Sequence, residues 1–354
     1  MTVPVKVPFP PATRVSVRSA GDVGDLCKVG SGVARLMPII ALLLLASCTT
    51  RPGPVEGGHA VRTGESLEGS VDPVRGEALV SFRGRRVLAY AFAAGQFKPY
   101  VRELYSLRGE NVLLDSPPDH LHHHGLMLAL RVNGVNFWEE RPPAGRQVSA
   151  QPPGLAFRVS ASGFPEAVIT HEIRWHASDE SDPGTALLRE HRELVVTVNP
   201  GAEEIGVEWR SAFETGACAD TFVLHGPDYH GLGLRLPAEF DHVAEFSNSS
   251  RLAYSEGQTF DVRPAAWSAV AGKMGGREVQ VALALHPSNP GKHAFFSMRN
   301  AFAYLAATPE PSRGPLEFRR GERFEFRHLL LVYPARQNAE YLDRRFAPWL
   351  AGPK

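Results

Sequence analysis

The densest group of side chains able to move protons or bind a metal is Asp119-His120-Leu121-His122-His123-His124-Gly125. It places four imidazoles within five residues of a chain that has 14 in 354. An imidazole titrates near neutral pH and serves as general acid or base, and in its neutral form it ligates Zn, Cu, Ni or Fe. In an extended backbone His120, His122 and His124 share one face and His123 takes the other. Three readings stay open. In the first, His120, His122 and His123 do acid–base chemistry or bind a polar substrate, with Asp119 or Glu139 as partner carboxylate. The carboxylate then raises the imidazole pKa and fixes its tautomer, and no cofactor is needed. In the second, His120, His122 and His123 hold a divalent metal. In the third, the segment is a hydrogen-bonded structural turn.

Further hydrogen-bonding groups recur among glycines and aromatics. Gly226-Pro227-Asp228-Tyr229-His230-Gly231-Leu232-Gly233 is a glycine-punctuated loop, but Leu234-Arg235-Leu236-Pro237 continues it as strand, so a dinucleotide-binding loop is excluded. His286-Pro287-Ser288-Asn289-Pro290 comes after an apolar run and reads as a strand entering a proline-fixed loop. Arg299 and Asn300 come after Phe295-Phe296, and Asn133-Gly134-Val135-Asn136-Phe137-Trp138-Glu139-Glu140 mixes amides, acids and a Trp beside a turn. Donors and acceptors interleaved with ring faces are what a carbohydrate site requires, with Trp138 either a sugar platform or a core residue. His171-Glu172-Ile173-Arg174-Trp175-His176 reads as a surface strand. The chain lacks G-x-S-x-G, P-loop, H-E-x-x-H and C-x-x-C motifs, which removes the commonest serine hydrolase, kinase, metalloprotease and thiol-redox readings.

The elements that must position these groups are strands. Gly and Pro total 62 of 354 residues without a period, which suits a β-protein with many turns. Residues 80–82 and 87–92 flank Arg83-Gly84-Arg85-Arg86 as a hairpin. Strands are expected at 126–132, 155–160, 167–175, 193–198, 205–213 and 279–285, and two half-buried strands around a tight turn at 319–322. Only 336–346 has helical character, closed by Pro348. The fold class is therefore all-β, one large antiparallel sandwich over 78–350 with a short C-terminal helix. Equal counts of basic and acidic residues, 38 each, argue against a nucleic-acid partner. No apolar run reaches the ~18–20 residues of a membrane span.

The amino terminus reads as an address. A short apolar block, Ile39-Ile40-Ala41-Leu42-Leu43-Leu44-Leu45, precedes Ala46-Ser47-Cys48. Its length fits a secretory signal, and Leu45-Ala46-Ser47-Cys48 resembles a bacterial lipobox, in which the Cys is acylated. The expectation is a leader and lipoprotein signal over 1–47, lipidation at Cys48 and a flexible Gly/Pro/Ser/Thr-rich tether over 48–77. That places the protein outside the cytoplasm, anchored to the cell envelope through lipid alone.

Lys98-Pro99-Tyr100-Val101-Arg102, residues 117–125, Val132-Asn133-Gly134-Val135-Asn136-Phe137-Trp138, Gly231-Leu232-Gly233 and His286-Pro287-Ser288-Asn289-Pro290 together resemble the bacterial PmoA-like family. That family usually reads D/G-H-P-H-H-R-G at the histidine cluster. Here Leu121 stands for the Pro and His124 for the Arg, so His122 and His123 carry over most directly. The resemblance implies a sandwich like the galactose-mutarotase supersandwich, and His with carboxylate acting at a sugar's anomeric centre. Its label, methane oxygenase, does not suit a chain without a membrane span. The expected site has His122, His123 and His120 with Glu139 or Asp119 as catalytic groups, and Arg102, Tyr229, His230, His286, Asn289, Arg299 and Trp138 as substrate contacts. The expected partner is a sugar or glycoside. A non-catalytic sugar-binding lipoprotein and a histidine-ligated metal oxidoreductase are the alternatives.

Overall fold

Alternation of side chains across a pleated strand decides which residues face inward, and here it builds two large layers. The computed structural model describes residues 67–352 apart from 178–182, 255–256 and 310–311. The expected signal, Cys48 and the tether as far as residue 66 lie outside the described residues. Within them the chain forms two nine-stranded sheets and a small four-stranded one, all with antiparallel pairings. The expected antiparallel β-architecture with one short C-terminal helix is what the chain adopts.

The first sheet runs Leu67–Asp72, Glu77–Phe82, Arg85–Ala91, Tyr100–Leu104, Leu126–Ala129, Gly231–Arg235, Tyr304–Thr308, Ala294–Met298, Phe260–Pro264. The second runs Glu245–Asn248, Trp267–Met274, Arg277–Leu285, Arg323–Tyr333, Glu204–Thr215, Leu188–Asn199, Pro165–His176, Arg146–Ser149, with Gly154–Val159 also paired to Pro165–His176. Apolar residues of both sheets share one core. On Arg323–Tyr333, Leu330 and Val332 face that core while Leu329, Leu331 and Tyr333 face outward. The outward set packs under Leu342 and Phe346 of the helix Ala339–Leu350, so both faces of the strand are buried.

Four expectations change. Leu67–Asp72, inside the stretch read as tether, is an edge strand paired with Glu77–Phe82 along its whole length. The tight turn at 319–322 exists, but Leu316–Arg319 pairs with Thr221–His225 in the small sheet, whereas Arg323–Tyr333 joins the second sheet. Phe318 stacks on Phe324 at 4.0 Å, so the turn is a corner between sheets. Pro348 lies inside the last turn of the helix rather than ending it, and Asn338 caps the other end by accepting from the Tyr341 N–H at 2.8 Å. The strand at 171–176 is not a surface strand. His171 and His176 are both buried, and His171 pairs with the Tyr90 hydroxyl of the opposite sheet at 2.9 Å.

Candidate functional site

The histidine segment is folded, not extended. The His120 N–H donates to the Pro117 carbonyl and the His123 N–H to the His120 carbonyl, both at 2.9 Å, while the Ser116 N–H donates to the His123 carbonyl. Two successive turns gather three imidazoles that an extended chain would separate. His120 and His123 stack at 4.5 Å, and His122 meets His123 edge-on at 4.6 Å. The expected shared face of His120, His122 and His124 is therefore not formed. His124 turns the other way, with Nδ1 2.9 Å from Asp115 and Nε2 2.9 Å from Glu140, its ring stacked 4.2 Å from Tyr100.

Aromatic rings from the first sheet and its loops underlie the cluster. Phe302 and Tyr304 contact His123, and Trp138 lies edge-on to it at 6.3 Å. Tyr304 and Trp138 have room here because residue 233 is glycine. A Cβ there would stand 3.2 Å from the Trp138 ring and 1.8 Å from the Tyr304 hydroxyl. His230 stacks on Trp138 at 5.0 Å. Both are fully buried, so they form the floor beneath the site and not a sugar platform or a direct contact. Glu139 accepts from the Tyr229 hydroxyl at 3.0 Å and from the Asn136 amide, with Arg131 3.7 Å away.

Burial and charge divide the imidazoles into different states. Burial, then the charges of Lys98 and His120, push the half-buried His122 down to about 4, against Glu139 and Glu140. Burial, reinforced by its two neighbouring imidazoles, holds His123 far below the ordinary histidine value. Burial does the same to His230. For His124 burial also opposes charge, but the bonds to Asp115 and Glu140 outweigh it and raise its pKa. Glu140 is lowered although burial opposes this, because His124 and Lys98 donate to it. Burial, then Glu139, raises the Tyr229 phenol, which keeps it protonated.

His120, His122, His123, Asp119, Glu139, Trp138, Tyr229 and His230 thus converge, with Asp119 exposed at the rim and 2.8 Å from His120. The other expected contacts do not join them. Arg102 pairs with Glu77, two strands along the sheet. Arg299 lies over the Tyr254 ring. The Asn289 side chain accepts from the Arg327 N–H and donates to its carbonyl, a structural role that continues the strand pairing. His286 bonds Ser288 within its own loop and meets Trp349 of the C-terminal helix. A pocket lined by Leu128, Gly231, Asn289, His293, Phe326 and His328 includes none of the converging side chains. Among the described residues no three His, Cys, Asp or Glu side chains are grouped to hold a metal ion. His120 and His123 present ring faces to each other rather than nitrogens to a common point. Lys98, Glu140, Tyr304 and Phe302 belong to the site and were not anticipated. Adjacent Glu139 and Glu140 face different partners, which no local spacing signals.

A family model described as a family of unknown function, DUF6807, matches residues 77–347. It replaces the expected PmoA-like resemblance. No curated protein matches the chain. Among solved structures, one assigned as an aldose 1-epimerase from Klebsiella pneumoniae is similar at 10% identity and a TM-score of 0.44, over 81% of this chain and 88% of that one. An α-galactosidase from Lactobacillus brevis is similar at 10% identity and a TM-score of 0.39, over 82% of this chain. An α-galactosidase from Geobacillus stearothermophilus, in complex with raffinose, is similar at 11% identity and a TM-score of 0.39, over 77% of this chain. The chain spans about two fifths of the length of these galactosidases, 42% and 41%.

Proposed function

The chain belongs to the DUF6807 family of unknown function, and from its own site we propose that it is a carbohydrate-active enzyme moving a proton at a sugar or glycoside. The observation that carries this reading is His122. It is half-buried, held in its neutral form at neutral pH, and near enough to the Tyr229–Glu139 pair to feel the charge of Glu139. A neutral imidazole is the form that accepts a proton and a protonated phenol the form that donates one, so the two rest in the protonation states that an epimerisation or elimination starts from. Asn136, Glu139, Asp119 and His120 offer hydroxyl partners around them, and Leu121, exposed at the loop tip, offers an apolar surface. His123, Trp138 and His230 support the floor. The polypeptide is further proposed to be exported and acylated at Cys48, on the strength of Leu45-Ala46-Ser47-Cys48 after an apolar block.

The test is turnover on a panel of aldoses, uronic acids and glycosides, with NMR of the anomeric and neighbouring protons as readout. Wild type is expected to convert at least one class, and His122→Ala to abolish conversion with the melting temperature unchanged. Wild-type binding on a glycan array without turnover of any panel member overturns the enzymatic reading in favour of a sugar-binding protein. Full activity in His122→Ala removes His122 from the chemistry. Expressed from the full chain in a bacterial host, wild type is expected to incorporate a palmitate label and Cys48→Ser to lose it. Equal labelling of both refutes the anchor.

A further inference from the structure

One buried cation near the site lends its charge to the lowering of His122 but hydrogen-bonds elsewhere. Lys98 is 1% exposed, yet its ammonium donates to Glu140 Oε1 at 2.6 Å and to the Trp138 carbonyl at 3.2 Å. Burial lowers its pKa and the Glu140 carboxylate opposes this, so the pair is held as much by the lack of alternatives as by attraction. The backbone that carries Lys98 is anchored from the opposite side. The Gln147 N–H donates to the Phe97 carbonyl at 2.8 Å, and Arg192 Nη1 donates to the Pro99 carbonyl at 2.7 Å. Arg192 is itself fully buried on the second sheet. It is held by Glu190, which also accepts from the Trp175 indole and the Ser211 hydroxyl.

On the site side, Glu140 Oε1 is shared with His124, whose other nitrogen faces Asp115, and Asp115 accepts from the Tyr100 hydroxyl at 3.1 Å. Two separate segments therefore meet at the Lys98–Glu140 pair: the histidine loop, through His124, and the Trp138–Glu140 run, which presents Glu139 to Tyr229. We propose that Lys98 is a positioning residue, a buried cation anchored to the second sheet that holds the histidine loop and Glu139 in register with each other. Neither segment alone has a direct bond to Arg192 or Glu190. Lys98 is the hydrogen-bonded link from that anchor to both, while Phe137 of the second segment also packs on Trp175 of the second sheet.

The inference rests on the acid–base reading of His122 for its kinetic arm only. The structural arm is amide hydrogen exchange on the folded protein. In Lys98→Met, exchange in residues 117–125 and 136–140 is expected to rise about tenfold while Leu188–Asn199 and Glu204–Thr215 keep wild-type protection. The double variant Lys98→Met/Glu140→Gln removes both charges. It is expected to recover the melting temperature but not the protection of the two segments, and it carries the measurement if the single variant does not fold. Unchanged exchange in both segments, or a uniform rise across the core strands, overturns the proposal. On a sugar that wild type converts, Lys98→Met is expected to lower kcat with KM little changed. A raised KM with kcat unchanged contradicts positioning. Should His122→Ala retain activity, the acid–base reading fails while hydrogen exchange still decides the role of Lys98.

Discussion

His122, His123 and His124 are consecutive, and the fold gives each a different task. His122 remains only half-buried with its pKa pushed down to about 4, chiefly by burial, so it is neutral and reachable at neutral pH. His123 is 4% exposed and touches His120, His122, Trp138, Phe302 and Tyr304. Its removal would leave a cavity among rings. His123→Ala is expected to lower stability by roughly 2–4 kcal/mol in denaturant unfolding, somewhat less than a buried Phe→Ala change, because its Nδ1 has no partner to lose. A variant as stable as wild type would place His123 at the surface. His124 presents both nitrogens to carboxylates, an arrangement satisfied only when the ring carries both protons. Four imidazoles within five residues are legible in the sequence as a site. Which is base, which is floor and which is cation depends on the depth of each ring and on partners 9 and 16 residues away.

Among the elements, half-solvated strands were readable, and so were Leu126–Ala129 and Arg277–Leu285 as buried apolar runs, whereas two other strands covered on both faces were not. The hairpin of Glu77–Phe82 and Arg85–Ala91 turns on Arg83 and Gly84, both with positive φ (50° and 72°). Gly84 meets the second of these requirements at no steric cost. Gly154–Val159, Pro165–His176 and Glu204–Thr215 match their expected positions because apolar residues alternate or cluster along them. Ala294–Met298 and Tyr304–Thr308 are buried at every position. Sequences such as Tyr-Leu-Ala-Ala-Thr carry no period of two, so nothing local separates them from a short helix or a buried loop. The corner at 319–322 shows the complementary difficulty. Its turn residues are evident, but sheet membership is chosen by the partners Thr221–His225 and Glu204–Thr215 more than 90 residues away. The histidine loop is the same case at a site, since its two turns are ordinary hydrogen-bonded turns that the run of imidazoles disguises.

At the scale of the whole molecule, buried histidines link stability to pH. Burial lowers His171 and His328 to about 3, whereas an unfolded chain titrates near 6.5. As pH falls below about 6.5 the unfolded chain takes up protons that the folded one refuses, so stability declines down to about pH 3. His124 has the opposite sign. Its raised pKa contributes stability that is fully present below the unfolded value and is lost as pH rises through the folded one. The melting temperature is therefore expected to fall steadily between pH 6.5 and pH 4. A level profile across that interval would show that His171 and His328 reach solvent. What the sequence determined by itself was local: turns at glycines, amphipathic strands, an all-β class, a dense histidine segment and an apolar block before Cys48. Tertiary structure alone decided which polar groups meet. Lys98 finds Glu140 across 42 residues, Tyr229 finds Glu139 across 90, and Arg192 reaches the Pro99 carbonyl across 93. Those pairs form because a buried charge or donor must be satisfied by whatever the sheets bring beside it. That requirement acts through space, and so it leaves no pattern along the chain.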